Sequence, residues 1–109
     1  MSSLSGVSHV QDSGEQEYLH VVATVTASGS TAIYTPAAGR RVRLRWIYAI
    51  NDPGSTASPL IKVLLGSQEK YRVYALSKRQ LVTGPVDGAL VIDLSEAAEV
   101  AVTALIEEI

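Results

Sequence analysis

Asp87 and Asp93 lie six residues apart around a strand-like run and could approach each other, which makes them the leading candidates for a hydrolytic carboxylate pair. Such a pair needs two carboxyls at a defined separation inside a cleft. Nothing around them implies a cleft, and Asp87-Gly88 reads more simply as a turn. His9 and His20 have no companion at a metal-ligand spacing, whereas structural zinc takes four ligands and catalytic zinc three from the protein. No Gly-x-Ser-x-Gly elbow frames any of the serines. Gly84-Pro85-Val86-Asp87-Gly88 lacks the lysine and the following helix that would make it a phosphate loop. The expectation is a non-enzymatic chain with no cofactor, no metal and no small-molecule substrate.

The basic residues point to binding instead. Arg40, Arg41, Arg43 and Arg45 cluster on one segment, and Lys70, Arg72, Lys78 and Arg79 lie on or near another. If the two are neighbouring strands, one sheet face is cationic and could dock onto an acidic partner, with Arg41, Arg43, Arg45 and Arg72 carrying the contact. The alternative is a solvated face balanced by Asp12, Glu15, Glu17, Glu96, Glu99, Glu107 and Glu108. Pairing between the basic sheet of one subunit and the acidic ends of another would satisfy both, since the planar fork of arginine suits carboxylates at interfaces. Tyr34, Tyr71 and Tyr74 offer a second kind of surface, a stacking platform for a glycan. A formal net charge of −2 argues against a dedicated nucleic-acid binder.

These residues need elements to hold them. Residues 40–50 alternate more strictly than any other stretch: Val42, Leu44, Trp46, Tyr48 and Ile50 on one side, Arg41, Arg43 and Arg45 on the other. A period of two marks a strand with one buried face. This strand, with the only Trp, is expected at the centre of an antiparallel fold. Tyr18–Ala27 alternates in the same way, with Leu19, Val21, Ala23 and Val25 facing together. Further strands are expected at Thr31–Thr35, Leu60–Leu65, Lys70–Leu76, Ala89–Leu94 and Glu99–Ile109. Gly66-Ser67-Gln68-Glu69 is expected to close a hairpin, and Ser95-Glu96-Ala97-Ala98 to form one helical turn capped by Ser95. Residues 1–17, rich in Ser, Gly, Gln and acids, read as a flexible arm before a domain at 18–109.

The chain has 109 residues, enough for one domain with a real core. Its interior must be filled by Val, Ile, Leu and Ala, because Phe is absent and aromatics make up only 6%. That suits two thin sheets packed face to face. Seven or eight short strands without a long helix predict a single antiparallel β-sandwich, of jelly-roll or immunoglobulin-like type. There is no cysteine, hence no disulfide framework. The opening Met1-Ser2-Ser3-Leu4-Ser5-Gly6 lacks the basic and apolar regions of a secretory signal. No apolar run approaches the ~20 residues that span a bilayer, so no membrane partner is expected.

The run Gly29 to Leu44 resembles the "(S/T)-x-x-Y-T-P-A-x-G-(K/R)-x-(I/V)-x-(L/V)" opening hairpin of small β-sandwich structural proteins of tailed bacteriophages and prophages, the decoration, head-fibre or tail-associated virion proteins. Leu90 to Ala104 is similar to their closing pair, an "L-x-x-x-L-S-x-A-x-x-V-x-V-x" run leading into a last strand. The dense arginines depart from the family, and so does the lack of aromatic-rich middle strands. The resemblance implies a virion component made in the bacterial host cytoplasm. It also implies assembly as a homo-oligomer, typically a trimer, with capsid or tail proteins as partners. It carries no catalytic residues over.

Overall fold

A computed structural model describes residues 7–12, 16–52, 54 and 56–109, with side chains from Tyr18 onward. Among the described residues ten strands follow one another: β1 (Val7–Asp12), β2 (Gln16–Val25), β3 (Gly29–Tyr34), β4 (Val42–Asn51), β5 (Ile61–Leu65), β6 (Gln68–Val73), β7 (Ser77–Lys78), β8 (Val82–Thr83), β9 (Leu90–Leu94) and β10 (Val100–Glu108). They form two antiparallel sheets. The first runs β1-β2-β10-β4-β7, with β8 also on β4, and the second runs β3-β9-β5-β6. The expected all-β sandwich is the observed fold.

Pairing is nested from both ends of the chain: β2 with β10, β3 with β9, β4 with β7 and β8, and β5 with β6. A long hairpin folded over on itself produces this order, which is that of a jelly roll and not of an immunoglobulin-like sandwich. The nesting corrects two local expectations. Gly29–Leu44 is not a hairpin, because β3 lies in the second sheet and β4 in the first. The closing pair is likewise divided, β9 in the second sheet and β10 in the first. Each run crosses from sheet to sheet. In the first crossing, Pro36 ends the pairing of β3 and Gly39, at φ +81°, allows the turn in which Arg40 N–H donates to Ala37 O.

The expected β5–β6 hairpin is present, with Gly66 at φ +64° in its turn. Ser95–Ala98 does not form the expected helical turn. Ser95 instead serves the segment leading into β5: its Oγ accepts from Leu60 N–H at 2.8 Å, and its own N–H donates to Leu60 O. The expected arm, residues 1–17, contributes β1, which pairs along β2 from Val7↔Val21 to Asp12↔Gln16. Residues 1–6 and 13–15 lie outside the described residues, as does the side chain of His9.

Alternating side chains of the two sheets make the core. Val21, Val25, Val42, Leu44, Ile47, Val100, Val102, Ala104 and Ile106 come from the first sheet, and Ile61, Val63, Leu65, Leu90, Ile92 and Leu94 from the second. Full burial of one such aliphatic side chain contributes about 1.5–3 kcal/mol. Tyr34 is the buried aromatic. A core this poor in large rings matches the composition.

The strand of strictest alternation does not keep its phase. β10 pairs Ile106 with Leu44 and Leu105 with Trp46, so Arg45 is an extra residue in β4. This β-bulge puts Arg45 and Trp46, consecutive residues, between the buried Leu44 and Ile47. Beyond it, Ile47 faces the core, whereas Tyr48 and Ile50 are exposed. The expectation that Trp46, Tyr48 and Ile50 line the interior is therefore corrected. A one-residue slip moves every later side chain to the opposite face.

Candidate functional site

The bulge builds the most distinctive surface of the molecule, the outer face of the first sheet. Its side chains lie in four cross-strand rows over β2, β10 and β4. They are Tyr18–Glu107–Arg43, His20–Leu105–Trp46, Val22–Thr103–Tyr48 and Thr24–Ala101–Ile50. An antiparallel sheet with one wet face normally turns polar residues to that face. Here Val22, Tyr48 and Ile50 are 52%, 41% and 60% exposed. Trp46 lies 5.5 Å from the Tyr48 ring at an interplanar angle of 15°, and 5.9 Å from His20.

One end of this face is ionic. Glu107 is 2% exposed, and its Oε1 is 3.4 Å from both Arg43 Nη1 and Arg45 Nη1. The Arg45 guanidinium also sits 5.2 Å above the Tyr18 ring. Among the described residues, Glu107 Oε2 and Arg43 Nε are buried without a hydrogen-bond partner. Two guanidiniums on one carboxylate leave this end of the face net positive. At the other end, Asp52 N–H donates to Glu99 O, which places the exposed residues Asp52 and Glu99 side by side.

Beside the face, β7 pairs Ser77 with Tyr48 and Lys78 with Ile47. An open groove of about 290 Å³ follows, lined by Trp46, Ile47, Tyr48, Ser77, Lys78 and Arg79.

The expected docking arginines do not form one patch. Arg43 and Arg45 meet around Glu107. Arg41 precedes β4, where its backbone pairs with Ile109 in both directions. Arg72 is on β6 in the other sheet, where its guanidinium forks onto Glu69 with two contacts of 3.1 Å. That fork holds the Glu69 carboxyl below its ordinary range. Because β4 and β6 are not neighbours, the single cationic face expected from them does not exist. Pairing of basic strand with acidic terminus does occur, but within one chain.

The three expected tyrosines are also dispersed. Tyr34 is 8% exposed and its hydroxyl donates to Glu108, so its ring offers no face to a ligand. Tyr71 donates to Gln80 and lies under Lys78; burial raises its hydroxyl above the ordinary tyrosine value. Tyr74 is 72% exposed on the segment after β6.

Asp87 lies in the turn before β9 and Asp93 within β9, and each has a structural partner. Asp87 Oδ1 accepts from Gly39 N–H at 2.6 Å and Asp93 Oδ2 from Ser30 Oγ at 2.7 Å. Among the described residues, no group of three or more His, Cys, Asp or Glu could hold a metal ion.

Glu107 and the outward pair Trp46 and Tyr48 were missed from the sequence. The signal available was Arg45-Trp46 itself, two bulky residues between Leu44 and Ile47 where a regular strand allows one outward position. No family model, no curated protein and no solved structure matches this chain.

Proposed function

We propose that this chain is a non-enzymatic structural protein that works by assembly, with the outer face of the first sheet as its docking surface. The observation that carries this reading is the run of exposed apolar side chains Val22, Tyr48 and Ile50 beside the Trp46 ring on an otherwise regular sandwich. Contiguous apolar surface of this kind marks protein interaction sites. Aromatic anchors such as Trp and Tyr are enriched where binding energy concentrates.

The placement in a bacteriophage virion, as a decoration or head- or tail-associated component, rests on the resemblance of residues 29–44 and 90–104. So do capsid or tail partners; the trimer that the resemblance implies draws no support from the outer face. Jelly rolls serve as capsid domains and as lectin domains, so the fold by analogy is compatible without deciding. Glu107 offsets half of the charge of Arg43 and Arg45, and Arg72 is held by Glu69. Docking then draws on apolar contact more than on charge.

A second reading is favoured by the groove beside Trp46 and Tyr48. Two rings with a hydroxyl and two cations at Ser77, Lys78 and Arg79 could hold a sugar, as a carbohydrate-binding or host-attachment module would. This platform replaces the one expected from Tyr34, Tyr71 and Tyr74.

Native mass spectrometry of the purified chain over a concentration series, with a glycan array in parallel, separates the two. Discrete oligomers with no glycan retained support assembly. A monomer at every concentration that binds a glycan, and loses it in Trp46→Ala, supports the module.

A further inference from the structure

We infer that the outer face of the first sheet pairs with the same face of a second copy of this chain, about a two-fold axis that runs across the strands. The inference rests on the assembly reading and names its partner. Its basis is the distribution of charge along the face. The Arg43–Glu107–Arg45 cluster, net positive, stands at one end of β4 and β10. Asp52 and Glu99, held together by the Asp52 N–H to Glu99 O bond, stand at the other end. Val22, Thr103 and Tyr48 lie between them in one row.

A closed pair of identical chains uses the same patch twice, so the patch must match its own rotated image. Any two-fold axis in the plane of the face brings it onto a second copy, and the two limiting directions lie parallel to the strands and across them. An axis parallel to the strands sets each Arg43–Arg45 end over its own image and leaves Asp52 and Glu99 facing their own likenesses. An axis across the strands, along the Val22–Thr103–Tyr48 row, sets the arginine end of each copy over Asp52 and Glu99 of the other. It also stacks the apolar middle on itself. Only this second axis gives opposite charges at both ends, and like charges placed together are what excludes the wrong arrangement. A head-to-tail trimer would instead need two unlike patches on every copy.

At a strand spacing of about 4.8 Å and a rise of about 3.3 Å per residue, the four rows cover roughly 15 by 25 Å. That falls below the ~800 Å² per partner of a standard interface. The pair is therefore concentration-dependent. Asp52→Lys weakens it by roughly two- to thirtyfold, the range of an exposed ion contact made twice in a two-fold pair.

The chain has no cysteine, so single cysteines treated with a short bismaleimide report the arrangement directly in the full-length protein. Thr103→Cys lies on the axis, meets its own image and is expected to cross-link to a dimer. Ala101→Cys faces Leu105 of the second copy. It is expected to stay single alone and to cross-link when mixed with Leu105→Cys. Cross-linking of Ala101→Cys alone, as strong as that of Thr103→Cys, would mean an axis parallel to the strands and overturn the inference. Oligomers that leave Thr103→Cys unlinked would overturn this pairing while the assembly reading stands. A chain that is monomeric throughout by native mass spectrometry, with no cross-link, would end both.

Discussion

Leu44 and Ile47 both point into the core, at 0% and 1% exposure, although they are three positions apart. In an unbroken strand an odd interval puts two side chains on opposite faces. The extra residue Arg45 resolves the conflict, since β10 passes from Ile106↔Leu44 directly to Leu105↔Trp46. One inserted residue thus decides which face the Trp46–Tyr48 ring pair occupies, and with it where the candidate docking surface lies.

Ile47 and Tyr48 should respond oppositely to truncation. Ile47→Ala empties a core position and should cost ~2–5 kcal/mol. Tyr48→Ala acts on a partly exposed side chain and should stay within ~1 kcal/mol. Urea denaturation of the two variants checks this; a larger loss for Tyr48→Ala would mean that β4 has no bulge.

Glu107 contacts both Arg43 and Arg45 from a nearly solvent-free position and offsets one of their two charges. Glu107→Ala would strand both guanidiniums. The loss should be ~2–3 kcal/mol, below the ~3–5 kcal/mol of a fully buried pair because each arginine is about one-third exposed. A double-mutant cycle between Glu107→Ala and Arg43→Ala should show strong non-additivity. Additive losses would mean that the contact contributes nothing.

Gly84 and Gly39 differ in what limits them. A Cβ at Gly84 would come within 2.6 Å of Leu65 Cβ, a core atom with no room to move. Gly39 has open space around it but a φ of +81°. Gly39→Ala should cost about 1–2 kcal/mol of backbone strain. Gly84→Ala should cost more, in the overpacking range of ~1–3 kcal/mol or beyond it. Thermal unfolding midpoints in the reverse order would contradict this packing.

Tyr71 should make stability fall at high pH. Burial raises its hydroxyl above the ordinary tyrosine value of 10.0, so the folded state holds the proton more tightly than the unfolded chain. The contribution is complete below the unfolded value and is lost as pH rises through the folded one. Tyr71→Phe should remove that alkaline slope, as read by denaturation on either side of it; an unchanged slope would assign it elsewhere.

Much of the fold was legible because the long strands alternate cleanly. Tyr18–Ala27, Leu60–Leu65, Ala89–Leu94 and Glu99–Ile109 each fall within two residues of an observed strand. What alternation cannot carry is the partner of each strand. The Tyr34-to-Arg40 connection looks like a hairpin turn locally, yet pairing with β9 and β10, far along the chain, sends β3 and β4 to different sheets. The two-residue strands β7 and β8 are too short to show a period. Ser95 has the residue type of a helix cap but spends its hydroxyl on Leu60, beside it at the end of the β5–β9 pair.

The site was less legible for the same reason. Arg43, Arg45 and Trp46 stood out in the sequence, but their meaning depended on a phase shift at Arg45. It depended too on Glu107, more than sixty residues away, as the carboxylate between the two arginines.

The central claim, assembly through the outer face of the first sheet, is tested most directly by the absolute mass of the chain across a concentration series. Light scattering on native protein and on Tyr48→Lys gives the comparison. The account predicts that the native chain rises from its 11.6 kDa monomer mass toward twice that value, with little loss in high salt, while Tyr48→Lys remains monomeric. A native chain that is monomeric throughout, or an oligomer of any size that Tyr48→Lys leaves intact, would contradict it.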